Sequence, residues 1–234
     1  SIPWKKIHGD ILMEISREPD IIGIEAWQRD FMHFSDKMMG LVNKNSERKG
    51  VGYLEILDIY RKILVDLKDA TAIFRSQKGK IAIERAEFVF SVMSKFKGEF
   101  FDEECRNIMD ACDYNLIMSI HRTISGNHSG VAKIHQILGD MRKRNIIDAY
   151  TYTILRGSRI LKQEAEDVLA HLNVMSNSYK SSDDIIRSGE QVIDQVLNNG
   201  KRRNRLMEDM IFASNLKVQK ILKNGNVEWL QNTE

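Results

Sequence analysis

Six histidines, two cysteines and one cluster of acids are the side chains here whose chemistry could reach beyond structure, and their spacing decides what they can do. A helical di-metal carboxylate centre needs a Glu-x-x-His pair on each of two helices plus two further glutamates. The residues three before the histidines are Lys5, Asp30, Met118, Ser125, Ala132 and Val168, so no such pair exists. Asp30 and His33 keep the interval and read as a surface pair. His121, His128 and His135 are seven apart, but the glycine-bearing stretch Ser125–Gly130 breaks any common helical face. Structural zinc needs four grouped ligands, which Cys105 and Cys112 do not supply. Seven residues apart on one helix they lie about 10 Å apart, beyond disulfide reach. Unpaired thiols of this kind fit a reducing compartment, and Asn127-His128-Ser129 reads as a chance match to a glycosylation acceptor. Phosphate-binding glycine loops and a G-x-S-x-G elbow are absent. Glu99, Asp102, Glu103 and Glu104 sit where a helix begins, and carboxylates stabilise a helix N-terminus without any catalytic duty. No metal, cofactor or catalytic residue is expected.

Two basic clusters remain as tentative nucleic-acid or anion sites: Arg142, Lys143 and Arg144, then Lys201, Arg202, Arg203 and Arg205. If they converge they could engage phosphates, with an affinity that falls steeply with salt. The chain as a whole does not push in that direction. Its 35 basic and 33 acidic residues leave a formal charge of +2, too little for a global field that attracts nucleic acid or an anionic membrane.

The elements that would position these residues read as helices throughout. The only prolines are Pro3 and Pro19, so nothing after Asp20 carries the ~3 kcal/mol penalty of proline inside a helix. Trp4, Ile7, Ile11 and Ile15 form the stripe of a short first helix. Trp27, Phe31, Phe34, Met38 and Leu41 step by 4, 3, 4 and 3, an a/d seam for a bundle core. Asn43–Gly52 reads as a loop, Leu54–Leu67 as a helix continuing towards Phe74, Gln77–Lys80 as a turn and Ile83–Phe96 as a helix capped by Gly98. Further helices are expected over Glu103–Ile124, from Val131 to Arg144, over Tyr150–Leu161, Glu164–Met175 and Asp183–Leu197, and from Lys201 to Leu222. The most apolar run, Met207–Leu222, holds Glu208, Asp209, Lys217 and Lys220, so no membrane span is expected.

Two stretches resemble known families. Ala86-Glu87-Phe88-Val89-Phe90-Ser91-Val92-Met93 resembles the second helix of a pentatricopeptide-type repeat, and Met141 through Asp148-Ala149-Tyr150-Thr151-Tyr152 resembles the join into the next. The matching apolar positions Met93, Met141 and Leu172 are 48 and 31 residues apart, where such a repeat has a constant period of about thirty-five. Ile186, Gly189, Ile193, Val196, Met207 and Met210, with Arg203 near the middle, are similar to the seam of a SNARE core helix.

The sequence therefore predicts an all-α bundle of roughly eight to ten helices. It is read as one domain over residues 1–224, with a sub-boundary at 125–130 and a frayed tail at 225–234. The expected function is a non-enzymatic, intracellular and cytoplasmic binding or assembly module. It would act through protein–protein contacts, homo-oligomers among them; eleven methionines suit adaptable helix surfaces. A nucleocapsid-like or helical-repeat nucleic-acid binder and a SNARE-like trafficking fragment are the alternatives. An enzyme with residues gathered from distant helices stays open.

Overall fold

The structure, a computed structural model, describes residues 3–15, 23–44, 49–73, 77–123, 128–178 and 203–225. The described residues form nine α-helices and no strand: α1 (Trp4–Ile15), α2 (Ile24–Lys44), α3 (Lys49–Ile73), α4 (Gln77–Phe100), α5 (Glu103–Thr123), α6 (His128–Lys143), α7 (Ala149–Arg156), α8 (Lys162–Ser178) and α9 (Arg203–Gly225). None is long and apolar enough to cross a membrane. The chain divides into two compact units, Ser1–Arg106 with Asn215–Glu234, and Asn107–Ser214. Of the expected sub-boundary at 125–130, residues 125–127 lie outside those described and 128–130 open α6; the expected helix Asp183–Leu197, the SNARE-like seam before Arg203 and the tail from 226 onward lie outside the described residues.

In the first unit an aromatic cluster holds α2, α3 and α4 together. Trp27 stacks on Phe31 with ring centres 5.6 Å apart, and Phe31 meets the edge of Phe88 at 5.8 Å. Tyr60 meets the edge of Phe96 at 5.9 Å, and the Arg85 guanidinium lies 5.0 Å from the centre of the Trp27 ring. Each large side chain buried this way stabilises the fold by roughly 1.5–3 kcal/mol, and well-oriented aromatic pairs add up to about 1 kcal/mol more. The expected heptad seam on α2 is corrected in detail. The buried set is Trp27, Phe31, Ser35, Met38 and Val42, while Phe34 and Leu41 are only half-covered. A straight helix turns once in about 3.6 residues, so the inward face drifts off a strict 3.5-residue repeat. Ser35 fits the core because its hydroxyl donates back to the Phe31 carbonyl at 3.0 Å.

Arg61 of α3 is fully buried, and its Nη1 donates to Asn215 Oδ1 of α9 at 2.7 Å. Asn215 Nδ2 in turn donates to Asp58 Oδ1 at 3.3 Å, and Asp58 pairs with Lys62 at 2.9 Å. A buried guanidinium must be hydrogen-bonded to be tolerated, so this chain fixes the register of α9 on α3.

Several boundaries differ from expectation: of the expected loop Asn43–Gly52, Asn43 and Lys44 end α2 and Lys49–Gly52 open α3, and α6 begins at His128 rather than at Val131. Gln77–Lys80 is the first turn of α4, and Gly98 lies inside α4, which runs on to Phe100; Gly98 does not take the left-handed conformation expected of it. Packing along α4 outweighs the ~1 kcal/mol that glycine costs a helix. The helix expected over Tyr150–Leu161 ends at Arg156, with Gly157 as its C-cap. Asp102 does restart the chain as expected, accepting from the Cys105 backbone N–H at 2.8 Å. Both free cysteines are buried, and burial, reinforced by Asp102 and Glu104, pushes the Cys105 thiol up to about 12.

Gly52 lies where α3 crosses α2 so closely that a Cβ would sit 2.8 Å from both methyls of buried Val42. Gly52→Ala is expected to lower stability by about 1–3 kcal/mol in urea unfolding, with Val42→Ala in the same chain recovering part of the loss. Burial raises the Tyr60 phenol from 10.0 to about 12, against a lowering hydrogen bond from Ser35. The folded value exceeds the unfolded one, so this contribution to stability is complete below pH 10 and lost as pH rises from 10 towards 12. Unfolding free energies measured across that window should fall less steeply in Tyr60→Phe.

Candidate functional site

Besides the first half of α9, the second unit contains two helical hairpins, α5 with α6 and α7 with α8. At the open end of the first, Arg144 closes α6 onto the start of α5. Its Nη2 donates to Asp110 Oδ2 at 2.5 Å and Asn107 Oδ1 at 2.8 Å, with the guanidinium 6.0 Å from the Tyr114 ring centre. Burial alone would lower the Arg144 pKa, but the hydrogen bonds and charges of Asp110 and Tyr114 bring it above the usual value. Helix α6 stops there because Asn145 adopts a left-handed backbone with φ 53°. The Ile146 N–H then reaches the Met141 carbonyl at 3.0 Å, and the Asn145 N–H reaches Arg142 at 3.1 Å, which together satisfy the last turn.

The second hairpin lies beside the first, equivalent helix against equivalent helix. Asn115 of α5 donates to Asp148 Oδ1 at 2.9 Å and accepts from Thr151 Oγ1 at 2.9 Å. One to two turns on, Arg122 Nη1 donates to the Ile154 carbonyl at 2.7 Å. Both contacts advance together, so α5 and α7 run parallel. His135 of α6 meets Glu164 of α8, Nε2 to Oε1, at 2.5 Å. These links join residues 33, 36, 32 and 29 positions apart. The interval is close to that of stacked helical-hairpin repeats. Asp148 and Thr151 form a capping box, each side chain answering the other's backbone N–H. A Cβ at Gly157 would overlap the Arg122 guanidinium, which would have to shift to accept one.

Asn115, Asp148, Thr151, Arg122, Arg144 and the His135–Glu164 pair thus hold helices together. Among the described residues, no group of three or more His, Cys, Asp and Glu could hold a metal. Of the histidines read as a regular series, His121 is buried, His135 is exposed and paired with Glu164, and the side chain of His128 lies outside the described residues. On α2 His33 is exposed and Asp30 half-covered; Asp102, Glu103 and Glu104 are exposed where α5 begins, but Glu99, expected there, lies exposed in the last turn of α4.

Of the first basic cluster, Arg142 and Lys143 are exposed, Lys143 Nζ lying 3.9 Å from Asp140 Oδ1, whereas Arg144 is tied to Asp110. The side chains of Lys201, Arg202, Arg203 and Arg205 lie outside the described residues, so the two clusters are not placed against each other. No protein-family model, curated protein or solved structure matches this chain.

A different surface stands out, on α9. Leu206, Met207, Met210, Ile211, Ser214 and Val218 face inward, and Met207 Sδ accepts from Ser119 Oγ at 3.5 Å. The opposite side carries Glu208, Phe212, Leu216 and Lys220, all exposed and each one turn from the next. Phe212 is 69% exposed and Leu216 40%. Spacing alone could have shown this ridge, since residues four apart are neighbours on a helix. Met207–Leu222 carries apolar residues on both sides, so its pattern does not state which side is buried.

Removing the Asn115–Asp148–Thr151 junction should loosen the second hairpin. Asp148→Ala is expected to cost about 1–2 kcal/mol of unfolding free energy, and the Asn115→Ala effect should be strongly non-additive with it in a double-mutant cycle.

Proposed function

We propose that the protein is a non-enzymatic binding module that holds a protein partner by helix-to-helix contact, with the outer ridge of α9 as the contact face. The observation that carries this reading is Phe212, a large aromatic side chain 69% exposed on a helix whose other side is packed, with Leu216 beside it one turn on. Single exposed apolar residues are ordinary, but an aromatic backed by a second apolar side chain and flanked by charges has the make-up of an interface anchor. The commitment of Asn115, Asp148, Thr151 and Arg144 to helix junctions supports an assembly role over catalysis. Two buried free thiols suit a reducing, intracellular setting.

A second reading, nucleic-acid binding, is favoured by the exposed Arg142–Lys143 pair at the end of α6 and by the side-by-side hairpins, an arrangement shared with helical-repeat proteins. It is weakened because Arg144, the third member of that cluster, spends its guanidinium on Asp110.

Affinity capture with the wild-type chain and with Phe212→Ser/Leu216→Ser, both checked for native helicity, separates the readings. Partner recovery reduced at least about tenfold in the double variant is expected, as for loss of an interface hot spot. An unchanged partner set would remove α9 as the contact face. Gel shifts that are tight at physiological salt and lost in Arg142→Ala/Lys143→Ala would replace the protein reading with the nucleic-acid one.

A further inference from the structure

The four ridge residues of α9 are arranged so that the helix complements itself when reversed. Glu208, Phe212, Leu216 and Lys220 run acid, apolar, apolar, base at intervals of four, and all four are exposed. Residues four apart form the ridges that most often interdigitate when two helices pack. From Glu208 to Lys220 this ridge spans about 18 Å at 1.5 Å per residue. Laid against a second ridge of the same kind running the opposite way, Phe212 meets Leu216 of the other copy. Glu208 meets Lys220 of the other copy, and the two-fold axis repeats both contacts. Running the same way, Glu208 would face Glu208 and Lys220 would face Lys220, and like-charge juxtaposition is unfavourable.

We infer that the protein self-associates as a two-fold dimer through antiparallel packing of α9, with Phe212 and Leu216 at the centre and Glu208–Lys220 ion pairs at the two ends. This rests on the reading of the α9 ridge as a protein-contact face and names a second copy of this chain as the occupant. A two-fold contact uses the same patch on both copies, as this ridge does. The apolar centre supplies the attraction, and the rim charges set direction more than strength.

Sedimentation equilibrium on the full chain tests it. The wild type should dimerise reversibly, and Phe212→Glu should be monomeric with unchanged helicity. Glu208→Lys and Lys220→Glu should each weaken the dimer by about tenfold, a change of about 1.4 kcal/mol. The double reversal Glu208→Lys/Lys220→Glu should restore it, because each ion pair is then re-formed with its ends exchanged. Oxidising a mixture of Phe212→Cys and Leu216→Cys chains should give chiefly the mixed disulfide. A monomer throughout the soluble range, a dimer insensitive to these changes, or a Phe212→Cys disulfide with itself in preference to the mixed one would each overturn the proposal. If the chain is monomeric while Phe212→Ser/Leu216→Ser still loses a captured partner, self-association fails and the protein-contact reading stands; if capture is also unchanged, both fail.

Discussion

A buried side-chain amide must have its donor and its acceptor answered, and in Asn115 both are answered by the first turn of α7. Asp148 accepts and Thr151 donates, while the same two residues cap the helix they begin. Inside a protein an unmet polar group costs about 1–3 kcal/mol, so this junction admits one register of α7 against α5. The rest of the second unit follows from that register. Arg122 meets the end of α7 at the Ile154 carbonyl in the same register, and its guanidinium occupies the space that a side chain at Gly157 would take.

The first unit is held by a different kind of constraint. Its polar links, Arg61 to Asn215 and Asn215 to Asp58, position one helix, but the cohesion comes from aromatic rings packed between α2, α3 and α4. Close approach of α2 and α3 depends on there being no Cβ at Gly52. Dispersion and burial are non-directional, so this core tolerates a Ser35 in the seam provided its hydroxyl bonds back to its own helix.

The buried Arg61, Asn115 and Thr151 are engaged in helix junctions, and Arg144 is held by Asp110 and Asn107. On the described surface the outer side of α9 carries a ridge with an apolar centre, Phe212 and Leu216, and ends of opposite sign, Glu208 and Lys220.

The absence of proline after Pro19 and the recurring three- and four-residue apolar steps determined an all-α protein from the sequence alone, because those properties act within a few residues of each other. The capping residues Asp102 and Asp148 acted at the same short range, and of these Asp102 was legible in advance. Local signals misplaced Gly98 and the start of α4, where packing along the whole helix outweighed a glycine's preference. The drift from Phe34 and Leu41 to Ser35 and Val42, the partnership of Arg144 with Asp110, and the side of α9 left outward were decided only by the tertiary structure. Each depends on a neighbour brought in from elsewhere in the chain, and a periodic pattern states that a helix has an apolar face without stating what will cover it.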